Sequence, residues 1–363
     1  MFKKTLTALL ASLVLAAAGA APAAPARASG IILFLGDAGG TSTLAAASIY
    51  GHNDPQALFL QHMPHIGLSE TSALDRWVTD SAAGMTAIVT GQKTANGVLS
   101  EMPSEGGKDG RVLKTILEYA EEHGLSTGVI SNMPMADATP AACYAHSDSR
   151  KKWGEIFAQV MHPRFGDGVD LVLGAGRTRI YNDTKAMGID LDAGLKQAGF
   201  AVYDSPEAVP ETARRAVALT DNAEYDIAAV TGRAIDILSR NPKGFFLMVE
   251  VDMHTDNVKR GLEHALLMDK IVRQTAGRVK DDTLILFTAD HSFDLRIRGG
   301  KKGEPILPPD YTRGNPAGSL RVDGSHTGEQ VLVAAQGPGA DQVHGYMLNT
   351  DLFHVMMRAY GFE

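Results

Sequence analysis

Short apolar runs alternate with helix-compatible stretches along most of the chain. Residues 31–35, 126–131, 171–173, 245–250, 283–288 and 331–335 read as strands. Most are near-continuous Val, Ile, Leu and Phe, the pattern of strands covered on both faces. Residues 81–90, 112–123, 153–161, 229–239 and 256–279 read as the intervening helices. This alternation predicts a three-layer α/β/α sandwich around a central, mostly parallel sheet. No internal repeat or long low-complexity linker interrupts it. Residues 292–325 are polar and rich in Gly, Pro and basic residues, and read as a surface excursion between two strands.

The amino terminus breaks the pattern. Lys3 and Lys4 precede an apolar run over 6–18, and Ala26-Arg27-Ala28 has the small-x-small form of a processing site. Residues 1–28 are therefore expected to be a signal peptide, leaving a folded domain at 29–363 exported to a periplasm or secreted. The apolar run is too short for a permanent span, and no cysteine follows it at a cleavage site, so no stable membrane anchor is expected. Removing the leader takes the formal net charge from −8 to −11, since Lys3, Lys4 and Arg27 go with it and no acid does. So acidic a chain is not expected to bind nucleic acid through its overall field. Cys143 is the only cysteine, which excludes an intramolecular disulfide. Stability then rests on the core, and about 335 residues can bury a large one.

Candidate chemistry collects at the ends of the predicted strands. Asp37 follows the first, Asp137 and Thr139 the second, Glu250 ends the fourth, and Asp290-His291 follow the fifth. In open α/β sheets ligands bind at these carboxyl ends. One such Asp reads equally as a helix cap, and Asp290-His291 as a buried hydrogen-bonded pair. Several acids with His at successive strand ends point to a multi-metal site. The segment 77–88, WVTDSAAGMTAI, adds a helix start capped by Thr79 or Asp80. Ser81 would sit there at the positive end of the helix dipole, a setting that binds phosphate and stabilises an alkoxide. Arg150, in a polar run, reads by itself as a solvated surface residue. His52, His62 and His65 cluster but match no motif and read as surface or packing residues.

Six segments occur in the order found in the alkaline phosphatases, and the chain resembles that family from about Ile31 to Gly361. They are ILFLGDAGG (32–40), VTDSAAGMTAIVTGQKTANGV (78–98), DATPAACYAHSDSRK (137–151), FFLMVE (245–250), TADHS (288–292) and SHTGE (325–329). The resemblance implies a metal-dependent phosphomonoesterase with two zinc ions and one magnesium ion. Ser81 would be the nucleophile, forming a phosphoserine. Asp37, Asp290 and His291 would bind one zinc with Ser81, and His326 would help bind the other. Asp37, Thr139 and Glu250 would bind magnesium, reached by Asp137 through water. Arg150 would clamp phosphate oxygens with its planar fork. Small-molecule phosphate monoesters and inorganic phosphate are the implied ligands, and the resemblance implies a homodimer.

Two departures bear on the site. Ala38 follows Asp37 where the family usually has glycine, which restricts positive φ. The family also places an aspartate five and a histidine nine residues after the magnesium-site glutamate, where this chain has Thr255 and Lys259. A three-residue shortening would substitute Asp252 and Asp256, four apart and on one face of a helical turn. That spacing gives the expectation that Asp252 and Asp256 bind the second zinc with His326. His254 competes, because zinc favours imidazole and an extended segment would place Glu250, Asp252, His254 and Asp256 on one face. Two other functions fit the same residues: a related diester or sulfate-ester hydrolase, or a metal- or phosphate-binding protein with little turnover.

Overall fold

The computed structural model describes residues 27–103 and 110–363. The expected leader therefore lies almost wholly outside the described residues. Twelve strands run in chain order: β1 Gly30–Asp37, β2 His65–Ser69, β3 Ser126–Pro134, β4 Leu171–Ala175, β5 Ala201–Tyr203, β6 Ala216–Thr220, β7 Phe245–Asp252, β8 Thr283–Thr288, β9 Ser292–Ile297, β10 Leu320–Thr327, β11 Val331–Gln336 and β12 Gly345–Met347. The helices are α1 Thr41–His52, α2 Ser81–Thr90, α3 Ile116–Glu122, α4 Ala138–Tyr144, α5 Trp153–Ala158, α6 Arg177–Ala186, α7 Leu191–Gln197, α8 Ile227–Leu238, α9 Val258–Ala276 and α10 Asp351–Tyr360.

Ten strands form one sheet in the order β12-β2-β11-β8-β1-β7-β3-β4-β6-β5. Only β11 runs antiparallel to its neighbours, β2 and β8. The three central strands β8, β1 and β7 are buried along their whole length. Successive residues of β1 point to opposite faces and enter two separate cores. Ile31, Leu33 and Leu35 pack with α2, α3, α4 and α10, whereas Ile32 and Phe34 pack with α1, α8 and α9. The fold is the expected α/β sandwich, and Cys143 is buried in the first of these cores.

Several boundaries agree with the apolar pattern, since β8 and α2 span the expected residues. Strands β2, β5, β6 and β12 escape it: β2 and β12 lack a continuous apolar run, and the runs of β5 and β6 are short. The expected excursion over 292–325 instead contains most of an antiparallel ribbon, β9 with β10, in which His326 faces Phe293. The helix expected from residue 256 starts at Val258, because the Asn257 side chain caps it by accepting from Arg260 N–H. Residues 253–257 connect the two elements, with a turn at 255–256.

Parallel register brings the strand ends level. Asp37 of β1 stands beside Asp252 of β7, and Leu35 lies between Glu250 and Thr288 of the flanking strands. Helix α2 then enters directly above β8, and Gly84 makes this approach possible. A Cβ on Gly84 would lie 2.7 Å from the Asp290 carbonyl oxygen, which is backbone and cannot swing aside. Gly84→Ala should gain about 1 kcal/mol of helix propensity. It should nonetheless lower net stability by about 1–3 kcal/mol, because the helix must lift from the sheet. A denaturant melt of the two proteins checks this, and a more stable variant would refute the packing argument.

Candidate active site

The central strands that end at this edge of the sheet contribute polar side chains. Asp37 closes β1, Glu250 and Asp252 close β7, and Asp290-His291 follow β8. Ser81 is the first residue of α2. Asp80 is its cap: one carboxylate oxygen accepts from Ala83 N–H at 3.1 Å, which settles the choice between Thr79 and Asp80. Asp137 caps α4, and Thr139 lies in its first turn. The ribbon supplies His326, whose Nδ1 lies 3.2 Å from the Thr79 carbonyl oxygen.

Two groups of donors converge. Asp37, Asp290 and His291 have ligand atoms within 4.8 Å of one another, and so do His254, His291 and His326. In the first group His291 Nε2 lies 3.4 Å from Asp37 Oδ1 and 3.5 Å from Asp290 Oδ2. The Ser81 hydroxyl lies 3.2 Å from the same nitrogen. In the second, the Nε2 atoms of His254 and His326 face each other at 3.3 Å. The His291 and His326 rings stack with centroids 3.8 Å apart.

These spacings suit cations. Tetrahedral zinc with bonds of about 2.0–2.1 Å to nitrogen sets neighbouring donors about 3.3 Å apart. Asp37 Oδ1 and Asp290 Oδ2 are buried without a hydrogen-bond partner, which is costly unless a cation satisfies them. Burial, with the charges of Asp290, Glu250, Asp252 and Asp137, pushes the Asp37 carboxyl well up. Glu250 rises to about 8, chiefly through burial and against a Ser131 hydrogen bond, with Asp290 and Asp137 adding repulsion. Burial lowers His291 to about 4, leaving a neutral imidazole with a lone pair to offer. Thr139 hydrogen-bonds Glu250, so the oxygen donors Asp37, Thr139 and Glu250 form a harder set suited to magnesium.

Arg150 is not a solvated surface residue. Its Nη1 bonds Asp80 Oδ2 at 3.1 Å and its Nη2 bonds Asp137 Oδ1 at 2.9 Å. One fork is thus held by the caps of two helices, which aims it beside Ser81.

The segment after Glu250 departs from the spacing expectation. No helical turn forms between Asp252 and Asp256, because β7 stays extended to Asp252 and α9 begins only at Val258. Asp256 belongs to neither donor group and pairs instead with Arg313 at 2.7 Å. His254 takes the place beside His326. Asp252 turns one oxygen to His254 Nδ1, at 2.8 Å, and the other to Arg260. His52, His62 and His65 join no donor group among the described residues, and His62 Nε2 faces the Gln56 carbonyl oxygen.

Some contributors carry no local signal. Ser131 lies in the buried part of β3 and bonds Glu250. Asn132 Oδ1 accepts from Asp252 N–H at 2.9 Å. Arg260, eight residues beyond Asp252, looks like any helix-surface arginine in one dimension. Ala38 adopts φ 64° and gives its N–H to Asp290 Oδ1 at 3.3 Å, so the position usually filled by glycine keeps glycine's conformation.

Comparison with known proteins bears on the family and the fold. A family profile described as "Alkaline phosphatase" matches residues 28–206 and 213–313. The alkaline phosphatase of Escherichia coli K12 is 30% identical over 93% of this chain and 87% of its own length. The streptomycin-6-phosphate phosphatase of Streptomyces griseus is 28% identical over 97% and 96%. Among solved structures, the alkaline phosphatase of the Antarctic bacterium TAB5 superposes with a TM-score of 0.75 at 22% identity, covering 93% of this chain and 99% of that one. The Thermus thermophilus alkaline phosphatase gives a TM-score of 0.78 at 21% identity, with 93% of each chain covered. No helix among the described residues is long and apolar enough to cross a membrane. With its sheet, its acids at the strand ends and a serine at a helix start above them, this chain belongs to the alkaline phosphatase family.

Proposed function

We propose that the protein hydrolyses phosphate monoesters through a phosphoserine on Ser81. The observation that carries this reading is the placement of Ser81 Oγ, 3.2 Å from His291 Nε2, beside two buried unpaired carboxylate oxygens and an arginine fork. Asp37, Asp290 and His291 would hold one zinc-type ion, His254 and His326 a second, and Asp37, Thr139 and Glu250 a magnesium ion. When bound, these cations would supply the positive charge that favours an ionised Ser81 and neutralises the phosphoryl oxygens.

The chain's own groups then divide the work. Arg150 takes two nonbridging phosphoryl oxygens with its planar fork, and Asp80 and Asp137 keep that fork oriented. Ser81 Oγ forms a bond to phosphorus as the bond to the leaving oxygen breaks, and the leaving group departs as an alcohol after protonation. Water then attacks the phosphoserine, releases inorganic phosphate and regenerates the hydroxyl. The amides of the first turn of α2 add partial positive charge at Ser81. These contacts all address the phosphoryl group, so broad leaving-group tolerance follows. An arginine fork serves a dianion with three free oxygens, which favours monoesters over diesters and sulfate esters. We further read residues 1–28 as an export signal and 29–363 as the catalytic domain.

Ser81→Ala should keep its fold and its metal uptake and lose at least 1000-fold in turnover, on the order seen when a nucleophile is deleted. Acid quench of the native protein with substrate should trap phosphate on a peptide containing Ser81. Stripping with a chelator should abolish activity, and zinc with magnesium should restore it. Phosphate on another residue, or activity that survives stripping, would refute the mechanism.

His254→Ala should remove one zinc equivalent, whereas Asp256→Ala should leave the stoichiometry unchanged. Elemental analysis of both variants decides between the two arrangements, and loss of metal in Asp256→Ala alone would restore the spacing assignment.

Metal uptake should also be tied to protons. Glu250 rises to about 8, so it carries a proton in the metal-free protein near neutrality, and burial shifts Asp37 in the same direction. A cation must displace the Glu250 proton, so binding should tighten as pH rises toward about 8 and then level off. In the metal-free protein the same raised values favour the folded state at low pH. For Glu250 that contribution is complete below its ordinary value of 4.5 and is lost as pH climbs toward about 8. Calorimetry in buffers of different ionisation enthalpy should register proton release at pH 6–7, and no release there would contradict the buried-acid argument.

A further inference from the structure

The first turns of α9 are fitted closely against the end of β7. Gly261 sits where a Cβ would lie 2.6 Å from the His254 carbonyl oxygen and 3.0 Å from that of Met253. His264 Nδ1 lies 2.6 Å from the Asp252 carbonyl oxygen. Between them, Arg260 bonds Asp252 Oδ2 through Nη2. The other Asp252 oxygen accepts from His254 N–H at 3.0 Å and faces His254 Nδ1 at 2.8 Å. A carboxylate in that place fixes the hydrogen on Nδ1 and leaves His254 Nε2 bare, pointing at His326 Nε2.

We propose that Arg260 is a positioning residue for the His254–His326 ion, acting through Asp252. Asp252 is 3% exposed, and among the described residues the one permanent cation bonded to it is Arg260. Without Arg260 a buried carboxylate would be left uncompensated on its outer oxygen and free to turn. His254 would then lose the group that fixes its tautomer and ring angle. The Arg260 side chain is 43% exposed whereas the Asp252 side chain it meets is 4% exposed, so the contact compensates the buried carboxylate and contributes little to packing of the arginine. The competing view is that a fixed positive charge near the centre repels a dication. Its charge, however, sits on the Asp252 oxygen that faces away from His254, and the carboxylate lies between. Orientation then outweighs repulsion.

This inference rests on the reading that His254 and His326 hold a divalent ion, and it is tested by zinc binding to the metal-free full-length protein. Zinc is titrated against a competing chromophoric chelator in the native protein, Arg260→Gln and Arg260→Lys. Arg260→Gln should weaken one zinc-binding event about tenfold, the usual effect of losing a residue that holds a metal ligand, and leave the other unchanged. Arg260→Lys keeps the charge without the fork and should lose about threefold, which carries the test if Arg260→Gln does not fold. Nitrogen NMR of the metal-free proteins should report one His254 tautomer, Nδ1–H, in the native chain and a mixture in Arg260→Gln. Unchanged or tighter zinc binding in folded variants overturns the role of Arg260 while the metal reading stands. A native protein that takes up zinc only once, and equally well after His326→Ala, overturns the reading of the second ion and this inference with it.

Discussion

Four carboxylates converge at the end of three adjacent strands, and the protein's own cations do not neutralise them all. Asp37, Glu250, Asp252 and Asp290 are each buried, and parallel register sets Asp37 directly beside Asp252. Two have internal compensation: Glu250 accepts from Ser131, and Asp252 is held by His254 and Arg260. The other two each leave a buried oxygen unpaired. A fold bears such a site only where something else satisfies it, since an unpaired buried polar group costs about 1–3 kcal/mol and a buried charge more. A cation held by Asp37, Asp290 and His291 would relieve this frustration. Burial and the same crowding raise Asp37 and Glu250, and so would couple metal occupancy to pH.

The scaffold's task is to hold these repelling groups in place. Strands β8, β1 and β7 are covered on both faces, so no strand end can move without disturbing one of two cores. Ala38 shows the tension locally. It adopts a left-handed conformation costing on the order of 1–2 kcal/mol in an L-residue, and spends its N–H on Asp290. Helices contribute through their starts: Asp80 and Asp137 cap α2 and α4 and also hold Arg150. Helix capping and the orientation of Arg150 are therefore one network.

The region after β7 illustrates how backbone conformation outranks residue spacing. Four residues separate Asp252 from Asp256, which would place them together on a helix. The strand persists to Asp252 and the cap at Asn257 delays α9, so the intervening turn sends Asp256 to Arg313 and His254 to His326. Two residues apart on extended backbone, Asp252 and His254 meet instead. The alternative based on a period of two described this segment better than the alignment-derived spacing.

The linear sequence determined what local chemistry determines. Runs of Val, Ile, Leu and Phe marked the central strands, because burial on both faces leaves no room for polar positions. Small residues after a capping acid marked α2, and acids following the strands marked Asp37, Glu250 and Asp290-His291 as one set. Three things were decided only in three dimensions. Ribbon β9–β10 carries His326 back over α2, which its polar composition hides. Arg150 is bound by two acids that lie 70 and 13 residues away in the chain. The second donor group is completed by His254, steadied by Arg260 from a helix whose start depends on one cap. Each depends on the relative placement of elements distant in sequence, which register, close approach and packing fix and which no periodicity along the chain records.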